Sequence, residues 1–387
     1  MKAQNQLKTF VRLLEEYPCD TPLYKFLPVF YRKNKQMGST DRRIATRLIY
    51  NYFRLGKALS ELPPQERLMI AEFVCNEHEN SFLSYFKPEF SSKINLPIPE
   101  KIEILKQVYP RFSLEDVFCW TAELSDTIDK EQFLYSFFQQ PNLFIRINKG
   151  YEQEVKSTLI QKDISFKKVS PGCIALNNGT KLDSIFPEKR NFEVQDLSSQ
   201  QTATYFKPQR WDKWWDACAA SGGKSLLLYE EEPDIKLVVS DVRESILANL
   251  DERFQQAGLL KYQKKILDLT QDPEPYMHDY EFDGILLDVP CSGSGTWGRT
   301  PEMIQQFSLS KLDFFNRLQK SIARNTVKYL KPGKPLIYMT CSAFRSENED
   351  MVEFLVNELG LSLEKCEILK GYEHKADVMF VARMIRN

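Results

Sequence analysis

The sequence predicts an α/β fold, a doubly wound parallel sheet over residues 196–387, preceded by a small α+β unit over 131–195 and a helical domain over 1–130. Three observations predict it. From about residue 196 short apolar runs alternate with helical patterns. Most of those runs are continuously apolar, as expected of strands buried on both faces. Before residue 130 the apolar residues recur at helical spacing instead.

In the first segment, Leu7, Phe10, Val11, Leu14 and Tyr17 are expected on one face of a helix. Gly38-Ser39-Thr40-Asp41 reads as a turn with capping residues. The helix after it would bury Ile44, Leu48, Ile49, Tyr52 and Phe53, with Arg42, Arg43, Arg47 and Arg54 decorating its surface. The middle segment offers strands at 143–148, 166–169 and 173–176, with a helix at 151–161. In the last segment, strands are expected at 213–217, 236–240, 264–268, 284–288, 335–340 and 378–384. Leu312, Phe315, Leu318, Ile322 and Leu330 give a helix that stops at Lys331-Pro332-Gly333. Ligand sites of such a sheet lie at the carboxyl ends of its strands.

The 387 residues suit two or three domains, and 42% hydrophobic with 27% charged residues excludes a disordered chain. The net charge of −1 hides an asymmetry. Residues 1–60 carry twelve Lys/Arg against four Asp/Glu, a local excess that suits either a polyanion partner or a solvated helical surface. The eight cysteines show no CxxC spacing, and His78, His278 and His374 are far apart, so no metal site is expected. The N-terminus lacks the apolar core of a signal peptide and no run approaches a membrane span. A cytoplasmic chain with reduced thiols, no membrane partner and a monomeric state is the expectation.

Residues suited to chemistry collect at the expected strand ends. The run Cys218, Ala219, Ala220, Ser221, Gly222, Gly223, Lys224 takes a strand through small residues into a helix. Glycines there admit a ligand close to the backbone, and the helix start offers free N–H groups. It is neither GxxxxGK[ST] nor GxGxxG, so alone it is weak and also reads as a tight turn. Asp241 and Asp268 each follow a strand, placed for a ribose and for an adenine amino group. Asp288-Val289-Pro290-Cys291 and Thr340-Cys341-Ser342 put a cysteine after each of two further strands. A lone cysteine is normally a small buried hydrophobe, which is the reading for Cys19, Cys75, Cys119, Cys173 and Cys366.

An adenosine-type pocket, a carboxylate and two thiols suit methylation of carbon 5 of cytosine. A thiolate added at carbon 6 makes carbon 5 nucleophilic, and acid–base help is needed to remove its proton. A free thiol of pKa ~8.5 is only a few per cent ionised at neutral pH. Full ionisation gains at most about 30-fold, so positioning must supply most of the acceleration. The base must also leave its stack to be reached.

These motifs resemble the NOP/Sun family of RNA cytosine-5 methyltransferases, and within it the bacterial RsmB-type rRNA enzymes. The matching stretches are Arg146-Ile147-Asn148, Val194-Gln195-Asp196-Leu197-Ser198-Ser199-Gln200, 218–224, Asp241, Asp268, 288–293, Arg299, Pro301-Glu302, Thr340-Cys341-Ser342 and Glu347-Asn348-Glu349. The paired Pro-Cys and Thr-Cys motifs are highly specific. The resemblance implies a Rossmann-like class I methyltransferase domain that uses S-adenosylmethionine. It makes Cys341 the nucleophile and Cys291 the group that assists release. Asp288 would contact the cytosine and the methionine end of the cofactor, Asp241 its ribose and Asp268 its adenine. The residues at 218–224 would line the cofactor, and Lys224 would also approach the catalytic centre.

Ser221 departs from the family, which usually has Pro there, and weaker cofactor affinity is the most this implies. Asp377-Val378-Met379-Phe380 replaces the usual Asp-Gly-Phe-Phe. Residues 41–50 are similar to a stretch of the NusB-like RNA-binding domain of RsmB-type proteins, with a helical spacer as the alternative. The α+β unit is expected to be an RNA-binding subdomain. The implied partner is RNA, rRNA ahead of tRNA. The alternatives are a tRNA or DNA cytosine-5 methyltransferase and a non-catalytic RNA-binding assembly factor.

Overall fold

The structure is a computed structural model that describes residues 2–187 and 189–387. Contacts divide it into two compact units. The first comprises Met1–Leu124, Asp129–Gln140 and Thr296–Ser308, the second the remainder.

The first unit is helical. Its helices include Lys2–Glu16, Leu23–Lys33, Ser39–Arg54, Pro64–Cys75 and Ile98–Val108. The first helix buries Ala3, Gln6, Phe10 and Leu13, a stripe rotated from the expected one. Leu7, Val11 and Leu14 are half-buried at its margin, and Tyr17 lies beyond the helix end. The third helix starts at Ser39 and buries Leu48, Ile49, Tyr52 and Phe53 as its periodicity requires.

Its basic residues are a correction to the sequence reading. Arg54 is 1% exposed, and its guanidinium donates to Phe137 O at 2.8 Å, Gln139 O at 3.0 Å and Gln140 Oε1 at 3.0 Å. Arg47 pairs with buried Glu72 at 2.8 Å, and Arg42 donates to Met37 O. Part of the local positive excess therefore holds the helices together. Helix periodicity places a residue on a face but does not reveal a buried acceptor waiting for it.

The second unit holds two sheets. The smaller one contains β1 (Leu143–Ile147), β2 (Phe166–Ser170), β3 (Cys173–Leu176) and β4 (Phe192–Val194), all antiparallel in the order β2-β3-β1-β4. Helix Glu152–Gln161 covers one face through Val155 and Leu159, packed on Ile145, Ile147, Ile174 and Leu176. The three-residue strand β4 was not legible in the sequence.

The larger sheet has seven strands: β5 (Lys213–Asp216), β6 (Lys236–Asp241), β7 (Tyr262–Ile266), β8 (Gly284–Asp288), β9 (Pro335–Thr340), β10 (Leu361–Lys370) and β11 (Val378–Arg386). Their order is β10-β11-β9-β8-β5-β6-β7. β5 to β9 are parallel, while β11 runs antiparallel to β9 and to β10. The chain leaves β5 outward through β6 and β7, then returns to β8 on the other side. That reversal puts a crevice between the carboxyl ends of β5 and β8. Trp214, Val239, Leu286, Ile337 and Val381 bury one face of the sheet with Leu226, Leu250 and Phe254 of helices Gly223–Glu231 and Glu244–Ala257.

Candidate active site

The strand ends at the crevice are joined by side-chain bonds. Asp241 closes β6, and its Oδ2 accepts from the Ala220 N–H at 3.0 Å. Its Oδ1 accepts from the Arg243 N–H at 2.9 Å and from Arg243 Nε at 3.0 Å. The loop after β5 is held in its turn by Ala220 at φ 47° and Gly222 at φ 82°. Asp268 follows β7, which ends two residues earlier than the sequence suggested, and its Oδ1 accepts from Thr270 N at 3.0 Å and Thr270 Oγ1 at 2.7 Å.

Asp288 ends β8 and pairs with the Lys224 ammonium at 3.1 Å. Lys224 Nζ also donates to Ser199 Oγ at 2.9 Å. Asp216, at the end of β5, is fully buried and accepts from Ser225 Oγ at 2.6 Å, while its Oδ1 has no partner. Burial, reinforced by the Asp288 charge, pushes its carboxyl up to about 7. Cys218, which follows it, has a thiol pushed far up by burial and by Asp216.

β8 and β9 are parallel neighbours with Asp288 opposite Met339. Cys291 lies three residues past the end of β8 and Cys341 one past the end of β9, and their sulfurs stand 3.4 Å apart, both as free thiols. The Cys291 thiol is pushed far above its ordinary value, first by the hydrogen bond to Cys341, then by burial and the charge of Glu347.

A cavity of about 520 Å³ connects these parts. Cys218, Ala220, Asp241, Asp268, Asp288, Cys291 and Cys341 line it. Ala219 donates its N–H to Ser240 O, and Gly223 O accepts from Gln195 Nε2. Ser221 turns to Arg253, which donates to its carbonyl at 2.9 Å and its Oγ at 2.8 Å. Arg253 in turn pairs with Glu193 of β4 at 2.5 Å. Val242, Arg243, Leu267 and Leu269 also line the cavity, as do Leu318 and Ile322, which the sequence marks only as an apolar helix face. Apolar walls with carboxylates at the ends of adjacent strands suit a nucleoside, whose base is flat and whose ribose offers hydroxyl donors.

Residues 203–385 match the sequence model of the family described as 16S rRNA methyltransferase RsmB/F. Over those residues the α/β domain is similar to the RsmB/F family. The ribosomal RNA small subunit methyltransferase B of Shewanella oneidensis is 33% identical over 209 residues, 50% of this chain and 47% of that protein. The chain spans about half the length of the curated relatives it matches. Two solved structures share the fold. PH0851 superposes with TM-score 0.69 at 20% identity over 92% of this chain and 93% of its own. NSun6 from Pyrococcus horikoshii with SFG superposes with TM-score 0.58 at 16% identity over 74% and 97%. The NOP/Sun motifs from 218 to 349 lie within the matched residues, while Arg146-Ile147-Asn148 and 194–200 precede them. Pro301 and Glu302, quoted among those motifs, belong to the helical unit, where buried Glu302 accepts from the Leu23 N–H at 2.9 Å.

Proposed function

We propose that this chain transfers a methyl group from S-adenosylmethionine to carbon 5 of a cytosine in RNA, with rRNA the first substrate. The observation that carries the reading is the pair of free thiols 3.4 Å apart on the wall of the cavity that also holds Asp241 and Asp268. The residues suit the cofactor: Asp241 holds the ribose, Asp268 the adenine amino group, and Leu267, Leu269 and Ile322 offer apolar surface to the ring. The loop from Cys218 to Lys224 shapes the backbone around it. The cofactor supplies an electrophilic methyl on a sulfonium.

The chain's own residues do the rest. Cys341 sulfur bonds to carbon 6 while its thiol proton passes by way of Asp288, at the base edge, to ring nitrogen 3, which takes the displaced ring π pair. Lys224 neutralises that carboxylate before the base arrives. Carbon 5 would then take the methyl group as the sulfur–methyl bond of the bound cofactor breaks and its sulfur leaves as a neutral thioether. Loss of the carbon-5 proton to a base then re-forms the ring double bond and expels Cys341 as thiolate, nitrogen 3 returns its proton by way of Asp288, and Cys291 assists this release. The relatives' name, a small-subunit rRNA methyltransferase, favours rRNA over tRNA or DNA. In this reading the four-stranded unit and the helical unit bind RNA, the latter through exposed Lys33, Lys35 and Arg43.

The test is nucleoside mass spectrometry after incubating the protein with labelled S-adenosylmethionine and RNA from a host lacking this gene, both deproteinised and as small-subunit particles. Labelled 5-methylcytosine that vanishes in Cys341→Ala is expected, with Cys291→Ala accumulating a covalent RNA adduct. No label in either RNA form refutes the reading and favours a non-catalytic RNA-binding factor. Full activity in Cys341→Ala refutes the mechanism.

A further inference from the structure

We infer that Glu347 is the positioning residue of the thiol pair, a buried carboxylate that ties both cysteine loops to one point. The inference rests on the two-thiol reading above and deepens it.

Each active-site cysteine is followed by a serine, and both serines bind the same oxygen. Ser292 Oγ and Ser342 Oγ each donate to Glu347 Oε2 at 2.5 Å. Oε1 accepts from the Ser292 N–H at 2.9 Å and from Gln319 Nε2 at 3.0 Å. Gln319 also donates to Pro290 O at 3.1 Å, on the other side of Cys291. The carboxylate is fully buried, and all four of these donors are neutral. A buried charge needs such satisfaction, because its desolvation cost is otherwise large. The next residue braces the second loop: Asn348 Nδ2 donates to Ser342 O at 3.0 Å, and its Oδ1 accepts from Thr340 Oγ1 at 2.6 Å. Tyr338 OH donates to the Glu347 carbonyl at 2.8 Å.

Two consequences follow. The separation of the sulfurs is set by a carboxylate that touches neither, since the two Cys-Ser pairs share one acceptor. The carboxylate also supplies a negative charge on the Cys291 side. Two thiolates this close cannot both ionise, because like charges oppose each other. Cys291 faces Cys341, Glu347 and the neutral Tyr338 hydroxyl, with the Lys224–Asp288 pair at the end of its own strand, β8. Glu347 therefore adds to the hydrogen bond from Cys341 and to burial in holding the proton on Cys291, so the assisting thiol waits protonated beside the one that adds.

The experiment uses the full chain and the variant Glu347→Gln. Alkylation of Cys291 and Cys341 by iodoacetamide is followed against pH by peptide mass spectrometry. Single-turnover methyl transfer and S-adenosylmethionine affinity by calorimetry are measured in parallel. The expected result is a Cys291 midpoint about one pH unit lower, methyl transfer about 10- to 100-fold slower, and cofactor affinity unchanged. Glu347→Asp retains the charge with a shorter reach. It should restore the Cys291 midpoint but not the rate. If Glu347→Gln fails to fold, Ser342→Ala removes one tether while leaving the carboxylate, and should slow transfer without moving the Cys291 midpoint. Wild-type rate and wild-type alkylation profiles in Glu347→Gln overturn the inference, as does an equal loss of cofactor affinity and rate. If the wild type makes no 5-methylcytosine yet the Cys291 midpoint moves as expected, the thiol positioning stands and the methyl-transfer reading falls.

Discussion

Gly222→Ala tests the packing beneath the cofactor loop. Gly222 sits at φ 82°, and a Cβ there would meet Phe254 Cε1 at 2.4 Å and Leu250 Cγ at 3.0 Å. An L-residue in the left-handed region costs about 1–2 kcal/mol. Forcing a buried ring aside costs about 1–3 kcal/mol more. The ring has little room to swing, because Tyr262 packs edge-on against it at 4.8 Å. The sum is about 2–5 kcal/mol. It falls on the turn whose Ala220 N–H binds Asp241, so the loop and the cavity should loosen together. The assay is native-state hydrogen exchange of β5 and β6, with cofactor titration by calorimetry. Phe254→Leu makes room for the added methyl at its own cost of about 1–2 kcal/mol. The double variant should then be more stable than the summed singles predict by at least about 1 kcal/mol. A Gly222→Ala protein with wild-type exchange and wild-type cofactor affinity, or strictly additive singles, would refute this reasoning.

Three further outcomes are expected. Ser221→Ala removes one charge-assisted bond from Arg253, about 1 kcal/mol at a partly exposed site, so cofactor affinity should weaken about fivefold by calorimetry; an unchanged affinity would mean the loop holds its shape without that bond. Arg54→Met strips three acceptors of their donor and should unfold the helical unit by about 3 kcal/mol or more in urea, whereas exposed Arg43→Ala should leave stability within about 0.5 kcal/mol and weaken RNA binding in low salt only. Asp216 is held protonated in the folded chain up to about pH 7 but ionises near its ordinary value when unfolded, so the folded state binds the extra proton between those points. Stability should fall as pH rises through that window, by at most about 1.4 kcal/mol per unit, and level off above it; Asp216→Asn should flatten the slope, and an unchanged slope would assign it to another group.

Much of the site was legible because a parallel sheet converts sequence into place. Once β5, β6, β8 and β9 are recognised as apolar runs, the residues after each must gather at one edge, which is how residues fifty apart in sequence bring their sulfurs together. The edges of the sheet were harder. β7 is an edge strand with exposed Lys264 and Tyr-Gln-Lys around it, so no apolar run fixed its register and it was placed two residues late. β10 covers only one neighbour and carries Ser362, Glu364, Lys365 and Glu367, polar enough to read as loop. Helix Leu23–Lys33 carries Pro28 as its sixth residue, past the first turn, where proline removes a backbone donor and local sequence speaks against a helix. The motif Glu347-Asn348-Glu349 by itself assigns Glu347 no role. A buried carboxylate's partners lie at 292, 319 and 342, and nothing in the local sequence announces them.

Gly295→Ala separates thiol positioning from cofactor binding. Gly295 donates its N–H to Cys341 O at 2.9 Å, and an added Cβ would meet Val378 O at 2.3 Å and Cys341 O at 2.9 Å. Both obstacles are backbone carbonyls of neighbouring strand ends, β11 and β9, which cannot rotate away as a side chain can. The loop bearing Cys341 must therefore shift by an appreciable fraction of an ångström. A misplacement approaching 1 Å is enough to slow a positioned reaction about 100-fold. The loop at 218–224 and the carboxylates of Asp241 and Asp268 lie at the ends of β5, β6 and β7, away from the contact that moves. The expected result is single-turnover methyl transfer slowed about 10- to 100-fold, with calorimetric cofactor affinity within about twofold of wild type. A loss of cofactor affinity as large as the loss of rate would mean that the two halves of the cavity move as one, and that the thiol loops do not carry a positioning role of their own.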